Sequence, residues 1–193
     1  MIRLMIAIAA IAGLAGPGTS LVPGGARDAA IHSAHGGSVM VTSAGDIKAG
    51  DRIPAPSKEA VLRIGGVGAG NAGAHVTLVD LGTLERLPRV AVQAYDPLTR
   101  HEVEFGGVLV SQLLAIAGVP RTTPICFQAA GTTLTLGQPG LDEADAVLAT
   151  RIDDDAIAPA SGGPLRLVFP GASDMAATPS NWLSGVAGVG GCY

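Results

Sequence analysis

The chain has 193 residues, enough for one domain with an additional segment, and a formal net charge of -4. Hydrophobic residues make up 48% of it but aromatic residues only 3%, so aliphatic side chains must form the core. It has no run of Lys or Arg, which argues against nucleic acid as a partner. Its 28 glycines and 13 prolines favour a β-rich fold with many turns over a helical bundle.

The first 26 residues have the layout of a secretory signal peptide. Arg3 precedes an apolar run over residues 4–16 that is too short to span a bilayer comfortably, and small residues follow it. Cleavage is expected after Ser20 or Ala26, which predicts a periplasmic or secreted protein with no membrane association once the peptide is removed. A buried N-terminal helix or a membrane anchor is the alternative interpretation.

Residues 27–58 are rich in Gly, Ala, Ser and Pro and are predicted to form a flexible arm or linker. A short strand over residues 38–42 is compatible with this composition. His32 and His35 lie in the arm at a spacing that suits weak metal binding, but a solvated loop is the preferred interpretation. No metal site is predicted, and the domain itself is expected to occupy residues 59–193.

The domain begins with a predicted strand and a turn. Residues 60–66 alternate in the manner of a half-buried strand, with Leu62 and Ile64 on one face. Residues 68–73 match G-x-G-x-x-G, but no helix begins within the motif as a dinucleotide-binding loop requires, so a turn is preferred. A short amphipathic helix is predicted over residues 77–87, with its first threonine as the N-cap.

The middle of the chain is predicted to hold two strand pairs and one longer helix. Strands are expected over residues 89–95 and 102–107, joined by a turn. Residues 108–117 have helical spacing and are followed by Gly118, a common helix terminator, and by a proline. Residues 124–136 are predicted to form two further strands around an Ala-Gly turn.

Two groups of polar residues receive structural interpretations. Asp153, Asp154 and Asp155 lack the alternating ligands and the glycine of a calcium loop, and they are predicted to form a turn between two strands. His101 lies beside Glu102, but the chain has no G-x-S-x-G motif that would supply a nucleophile. No catalytic residue is therefore predicted.

Cys126 and Cys192 are the two cysteines of the chain. In an exported protein such a pair is compatible with a disulfide that closes a long loop and ties down the C-terminus. Two separate thiols, one in a strand and one near the end of the chain, are the other interpretation. The sequence leaves both open because it gives no Cα separation.

Residues 161–170, SGGPLRLVFP, predict a strand that contains a permanent cation among apolar residues. Leu165 and Leu167 are expected to face the core, with Arg166 on the opposite face. Arg166 is expected either to pair with an internal carboxylate, with the Asp-rich turn as one source, or to bind a phosphate or other anion. The internal pair is the favoured interpretation.

Six segments resemble, in order, parts of the sulfite-oxidase-type molybdopterin-binding oxidoreductase domain. They cover residues 60 to about 190 and read VLRIGG, TLVDLGTLERLP, EFGGVLVSQLLAIAGV, ICFQAAG, VLATRIDDDAIAPASGGPLRLVFPG and NWLSGV. The resemblance implies an α+β fold with mixed, mainly antiparallel sheets and two main helices. It also implies a compact, stand-alone form of the domain.

The same resemblance implies a function. An oxidoreductase with molybdopterin as its cofactor is expected, with Ser161, Gly163 and Arg166 as the cofactor-binding residues. A small-molecule or anionic ligand is the expected partner. In catalytic members a cysteine thiolate ligates molybdenum in the strand before the F-x-G element, whereas residues 89–105 contain no cysteine. A non-catalytic ligand- or partner-binding module derived from the domain is therefore the alternative, and no particular protein partner is indicated.

Overall fold

The computed structural model describes residues 30–32, 38–66, 75–170 and 183–192. These residues form two β-sheets and three short helices, which confirms the predicted α+β class with mainly antiparallel pairing. The strands are β1 (Ala30–His32), β2 (Ser38–Ser43), β3 (Ala60–Gly66), β4 (His75–Asp80), β5 (Arg89–Asp96), β6 (His101–Leu109), β7 (Ile125–Ala129), β8 (Thr132–Leu136), β9 (Val147–Ile152), β10 (Asp155–Ala156), β11 (Arg166–Val168), β12 (Leu183–Ser184) and β13 (Val186–Gly191).

Three sequence predictions fall outside the described residues. They are the signal peptide over residues 1–26, the glycine-rich turn over residues 68–73, and the interpretation of the His32 and His35 side chains. They stay predictions.

The larger sheet has eight strands. Its order is β1-β2-β5-β6-β9-β11-β12, with β10 paired to β9 outside this path, and neighbouring strands are antiparallel. The predicted hairpin of residues 89–107 is confirmed as β5 and β6, which pair from Val90↔Gly107 to Asp96↔His101. The pairing of β9 with both β6 and β11 brings the strand of Arg166 into the same sheet as the end of β5.

The smaller sheet has five strands in the order β4-β3-β13-β7-β8. The β13–β3 pair is parallel and the others are antiparallel. Leu62 and Ile64 of β3 are buried and Arg63 between them is exposed, so the predicted alternation of this strand is confirmed. The two strands expected over residues 124–136 are also confirmed, as β7 and β8.

The helices are α1 (Leu81–Leu84), α2 (Val110–Ile116) and α3 (Gln138–Glu143). The predicted start of the first helix at Thr77 is wrong, because Thr77 pairs with Ile64 in β4 and Asp80 is the N-cap. The second helix ends as predicted, with Gly118 in the left-handed region just after it. The sequence did not predict α3.

Two groups of buried aliphatic side chains form the core. One lies among the five-stranded sheet, α2 and the inner faces of β9 and β11, and it includes Leu62, Leu113, Leu148 and Leu167. The other consists mainly of residues from β5, β6 and β9, and Phe105 is its largest apolar member. Because both faces of β11 are buried, Arg166 enters a second core cluster rather than solvent.

The arm prediction for residues 27–58 is wrong at residues 30–32 and from residue 38 onward, because both parts of the segment join the larger sheet. β2 pairs with β5 along Val39↔Val92 and its neighbours, and Val39 is fully buried. Ile47 is 4% exposed in the main core cluster, and its backbone N–H donates to the carbonyl oxygen of Arg86. The strand expected inside this segment is confirmed, and it adds residues 38–58 to the folded domain.

Cys126 and Cys192 form a disulfide with their Cα atoms 5.3 Å apart. The pairing of β7 with β13 brings them together, since Cys126 lies opposite Gly190 and Cys192 follows β13 directly. The backbone N–H of Cys192 also donates to the carbonyl oxygen of Pro124, at 3.0 Å. The sequence left both interpretations open, and the structure contains the disulfide.

Candidate functional site

A surface cleft of about 530 Å³ lies where the β5–β6 turn, the β9–β10 hairpin and a 3-10 turn (Pro159–Ser161) meet. Asp96 and Ile157 in this cleft are buried, whereas most of the other lining residues are exposed at its rim. The lining residues are Asp96, Leu98, Thr99, Ile152, Asp155, Ala156, Ile157, Ala158, Ala160 and Ser161.

Asp96 is the centre of this region, and local sequence explains its position. It ends β5 and precedes a proline, and its carboxylate accepts from the backbone N–H of Leu98 at 3.0 Å and from the Thr99 hydroxyl at 3.1 Å. An aspartate that accepts from residues two and three positions later holds a turn of this kind closed. The predicted turn between the two strands is thus built around Asp96.

The guanidinium of Arg166 meets Asp96 from inside the domain. Nη2 of Arg166 donates to Oδ1 of Asp96 at 2.8 Å, and both side chains are only 1% exposed. The guanidinium carbon also lies 5.3 Å from the centre of the Phe105 ring, a distance typical of a cation–π contact. The favoured interpretation of Arg166 as half of an internal ion pair is confirmed, but its partner is Asp96 and not a residue of the Asp-rich turn.

The ionisation of Asp96 follows from these contacts. Burial raises the pKa of its carboxyl, but the hydrogen bonds from Arg166, the Leu98 N–H and Thr99 outweigh that effect and leave the pKa below its usual value. Asp96 is therefore a carboxylate at neutral pH, and the contact with Arg166 is a buried ion pair. The positive charge of Arg166 is compensated where it lies.

The three residues predicted to bind a cofactor do not lie in one surface. Ser161 is exposed at the end of the 3-10 turn and lines the cleft. Gly163 packs against the backbone instead, where a Cβ atom would overlap the carbonyl oxygen of Ile157. Arg166 is buried behind Asp96. The two predicted residues therefore differ in role: Ser161 faces the cleft, and Arg166 contacts Asp96, which forms the floor of the cleft.

The Asp-rich segment forms the turn that the sequence predicts. Asp153 and Asp154 have φ values of 48° and 67°, and Asp155 begins β10 opposite Ile152. The Asp153 carboxylate accepts from the backbone N–H of Glu104 at 3.0 Å, while Asp155 lines the cleft. The charged side chains that line the cleft are thus the carboxylates of Asp96 and Asp155.

A second surface depression, of about 320 Å³, lies on the outer face of the five-stranded sheet. It follows the glycines of β13 and is bordered by Arg63, Val76, Cys126 and Gln128. Neither depression holds a metal-ligand set: in the part of the chain that the structure describes, no three His, Cys, Asp or Glu side chains converge. Within the same residues, no helix is long and apolar enough to cross a membrane.

The fold and the cleft define an α+β domain with an acidic surface pocket above a buried ion pair. The family model of the oxidoreductase molybdopterin binding domain matches residues 80–187, more than half of the chain. The chain therefore belongs to this family, as the resemblance implies. No curated protein is similar enough to the chain to count as a match.

The two cysteines and the described side chains that line this cleft fit a molybdopterin poorly. Molybdenum in this family is expected to need a thiolate, and both cysteines of the chain are joined to each other. The phosphate of a pterin cofactor needs donors and positive charge, whereas the charged groups in the cleft lining are Asp96 and Asp155. The donor set of this cleft thus disagrees with the cofactor that the family name implies.

Proposed function

We propose that this chain is an exported, non-catalytic member of the family that binds a ligand or partner and does not hold molybdenum through cysteine. The observation that carries the proposal is the Cys126–Cys192 disulfide, which uses both cysteines of the chain. The thiolate is the form of cysteine that ligates a metal, and a sulfur in a disulfide is not a thiolate. The domain would then keep the family's fold without the ligand on which its redox chemistry depends.

The Arg166–Asp96 pair supports the same proposal. An arginine that binds a phosphate presents its planar fork to the ligand. Arg166 is buried, and its Nη2 donates to the carboxylate of Asp96. We infer a structural role for Arg166, which holds β11 against the turn that follows β5.

The export half of the proposal rests on the sequence and on the disulfide together. Residues 4–16 have the composition and length of a signal-peptide core. Disulfides of this structural kind persist in oxidising compartments such as the periplasm and the extracellular space. A periplasmic or secreted location accounts for both features.

A molybdopterin-dependent oxidoreductase is the second candidate, and the family match over residues 80–187 favours it. In that case Ser161 at the cleft would be the accessible member of the expected cofactor-binding residues, with Gly163 and Arg166 behind it. The cofactor would supply the redox chemistry. The chain's own residues would bind and orient it.

Metal and pterin analysis separates the two candidates. The chain is produced with its own N-terminus in a molybdenum-replete host, purified without reductant, and assayed for molybdenum by mass spectrometry and for pterin by fluorescence after oxidation. We expect far less than one molybdenum and one pterin per chain. One equivalent of each, retained through gel filtration, would overturn the proposal. The Cys126→Ser/Cys192→Ser variant would then show whether either sulfur holds the metal.

A further inference from the structure

We propose that the cleft beside Asp96 binds a small organic cation that has a short apolar body, such as a primary amine. The inference rests on the proposed function, because it requires that molybdopterin does not occupy this part of the surface. It extends that function by naming the chemical class of the ligand.

The cleft offers hydrogen-bond acceptors of the kind that an ammonium group needs. The Thr99 hydroxyl donates a hydrogen bond to Asp96. The lone pairs of the Thr99 oxygen remain able to accept a further hydrogen bond. The Asp155 carboxylate and the Ser161 hydroxyl also line the cleft. An ammonium has three donors and no acceptor, so this set suits it, whereas a carboxylate or phosphate would find few donors.

The charges around the cleft favour a cation as well. Asp155 lies in the same hairpin as Asp153 and Asp154, and together they place negative potential at this rim. Arg151 is close in sequence, but it is ion-paired with Glu85, at 2.5 Å from Nη2 to Oε1. The buried pair behind the cleft is neutral overall, and Asp155, the other charged residue of the lining, is negative. Arg100 lies in the same turn as Leu98 and Thr99 but does not line the cleft.

Apolar side chains in the lining explain why the ligand should carry a hydrocarbon body. Leu98 is 59% exposed and offers apolar surface at the cleft. Ile152, Ile157 and three alanines supply further apolar surface. The volume of about 530 Å³ lies within the range of roughly 300–1,000 Å³ that is common for small-molecule sites.

Three probes of the same shape and different charge test the inference. Benzylamine, benzyl alcohol and benzoate are titrated separately into the isotope-labelled exported protein, and binding is followed by NMR. We expect benzylamine to give saturable shifts at the amides of Leu98, Thr99, Asp155 and Ser161, benzyl alcohol weaker ones, and benzoate none. Benzoate shifts at these amides that equal or exceed those of benzylamine would overturn the inference.

Two variants of the Asp-rich turn locate the charge that matters. Asp155→Asn should weaken benzylamine binding several-fold, because Asp155 lines the cleft. Asp154→Asn is the matched control: it removes the same charge from the next residue, which does not line the cleft, and asparagine tolerates the φ of 67° at that position. Equal effects of the two substitutions, or no effect of either, would contradict the inference.

The molybdenum and pterin content of the same sample keeps the two proposals distinguishable. If the sample lacks both and benzylamine does not bind, only the inference about the cleft fails. If the sample contains both, the proposed function fails and the inference fails with it.

Discussion

The Arg166–Asp96 pair shows how a charged residue is accommodated in an aliphatic core. Each ion would be costly to bury alone, and here each has the other at 2.8 Å, while Asp96 has two additional donors in its own turn. The sequence could predict that Arg166 needs a partner because arginine stays charged at every working pH. It could not predict Asp96, which is separated from it by 70 positions and comes close only through the order of the strands.

Substitution of Arg166 tests the internal role. Arg166→Ala should lower the free energy of unfolding by about 3–5 kcal/mol, because it leaves the buried Asp96 carboxylate without its cation. Arg63→Ala is the control, since Arg63 is exposed and its removal should change stability by less than about 0.5 kcal/mol. Urea unfolding measures both. An unchanged midpoint for Arg166→Ala, with loss of binding to a phosphate-bearing pterin, would return Arg166 to the cofactor-binding residues.

Acid should weaken the fold through Asp80 and Asp96. Hydrogen bonds from Thr83, and from the backbone of Lys58 and Ser57, hold the pKa of the Asp80 carboxyl far below its usual value. Near and below pH 4 the unfolded chain therefore binds more protons than the folded chain. The contribution of this carboxylate to the free energy of unfolding is present above that pH and decreases as the pH falls further.

The Asp80→Asn variant identifies this contribution. It should be less stable than the original chain at pH 7, because it loses the ionised form of the N-cap, and the difference should shrink as the pH falls towards 3. Denaturant midpoints at pH 7, 5, 4 and 3 measure this. A difference that stays constant over the series would contradict the assigned ionisation.

At the scale of elements, alternation and turn residues were the reliable signals. β3, β5 and β6 were predictable because one face of each is apolar and Gly, Pro or Asp marks their ends. The start of α1 was not predictable, because the local sequence around Thr77 resembles an N-cap. Only the pairing with β3 makes Thr77 part of a strand. Residues 38–58 were misjudged for a similar reason: their small and polar composition conceals a few buried side chains.

The contribution of residues 38–58 to the core can be measured at Ile47. Ile47→Ala should destabilise the protein by about 2–5 kcal/mol, because the side chain lies in the main core cluster. Met40→Ala in β2 is the matched control, since Met40 is 42% exposed and its truncation should cost much less. Similar small effects of both substitutions in thermal unfolding would restore the flexible-arm prediction.

The disulfide joins β7 to the end of β13 and closes a long loop, with its cysteines 66 positions apart. In the chain-entropy treatment, a loop of this length contributes about 4 kcal/mol to stability. The Cys126→Ser/Cys192→Ser variant should therefore unfold at much lower denaturant concentration, and adding reductant should lower the midpoint of the original chain but not that of the variant. Equal midpoints for the original chain with and without reductant would argue against a bridged pair.

For the molecule as a whole, the fold was more predictable than the site. Segments such as GGPLRLVFPG carry the family's fold because they specify strands, turns and the packing between them. The properties of the cleft depend on which distant segments of the chain the fold brings together. Ser161 was predicted as a site residue and lines the cleft, but its neighbours Asp96 and Asp155 come from separate hairpins. A sequence that keeps the scaffold can therefore present a site with different chemistry.

Native mass spectrometry of the exported protein, purified without reductant, tests the central claim most directly. The account predicts a chain that begins near residue 21 or 27, lacks the two hydrogens lost in the disulfide, and carries no additional mass of a molybdopterin. A species that retains a molybdopterin on the folded chain, or one with both thiols free, would contradict it.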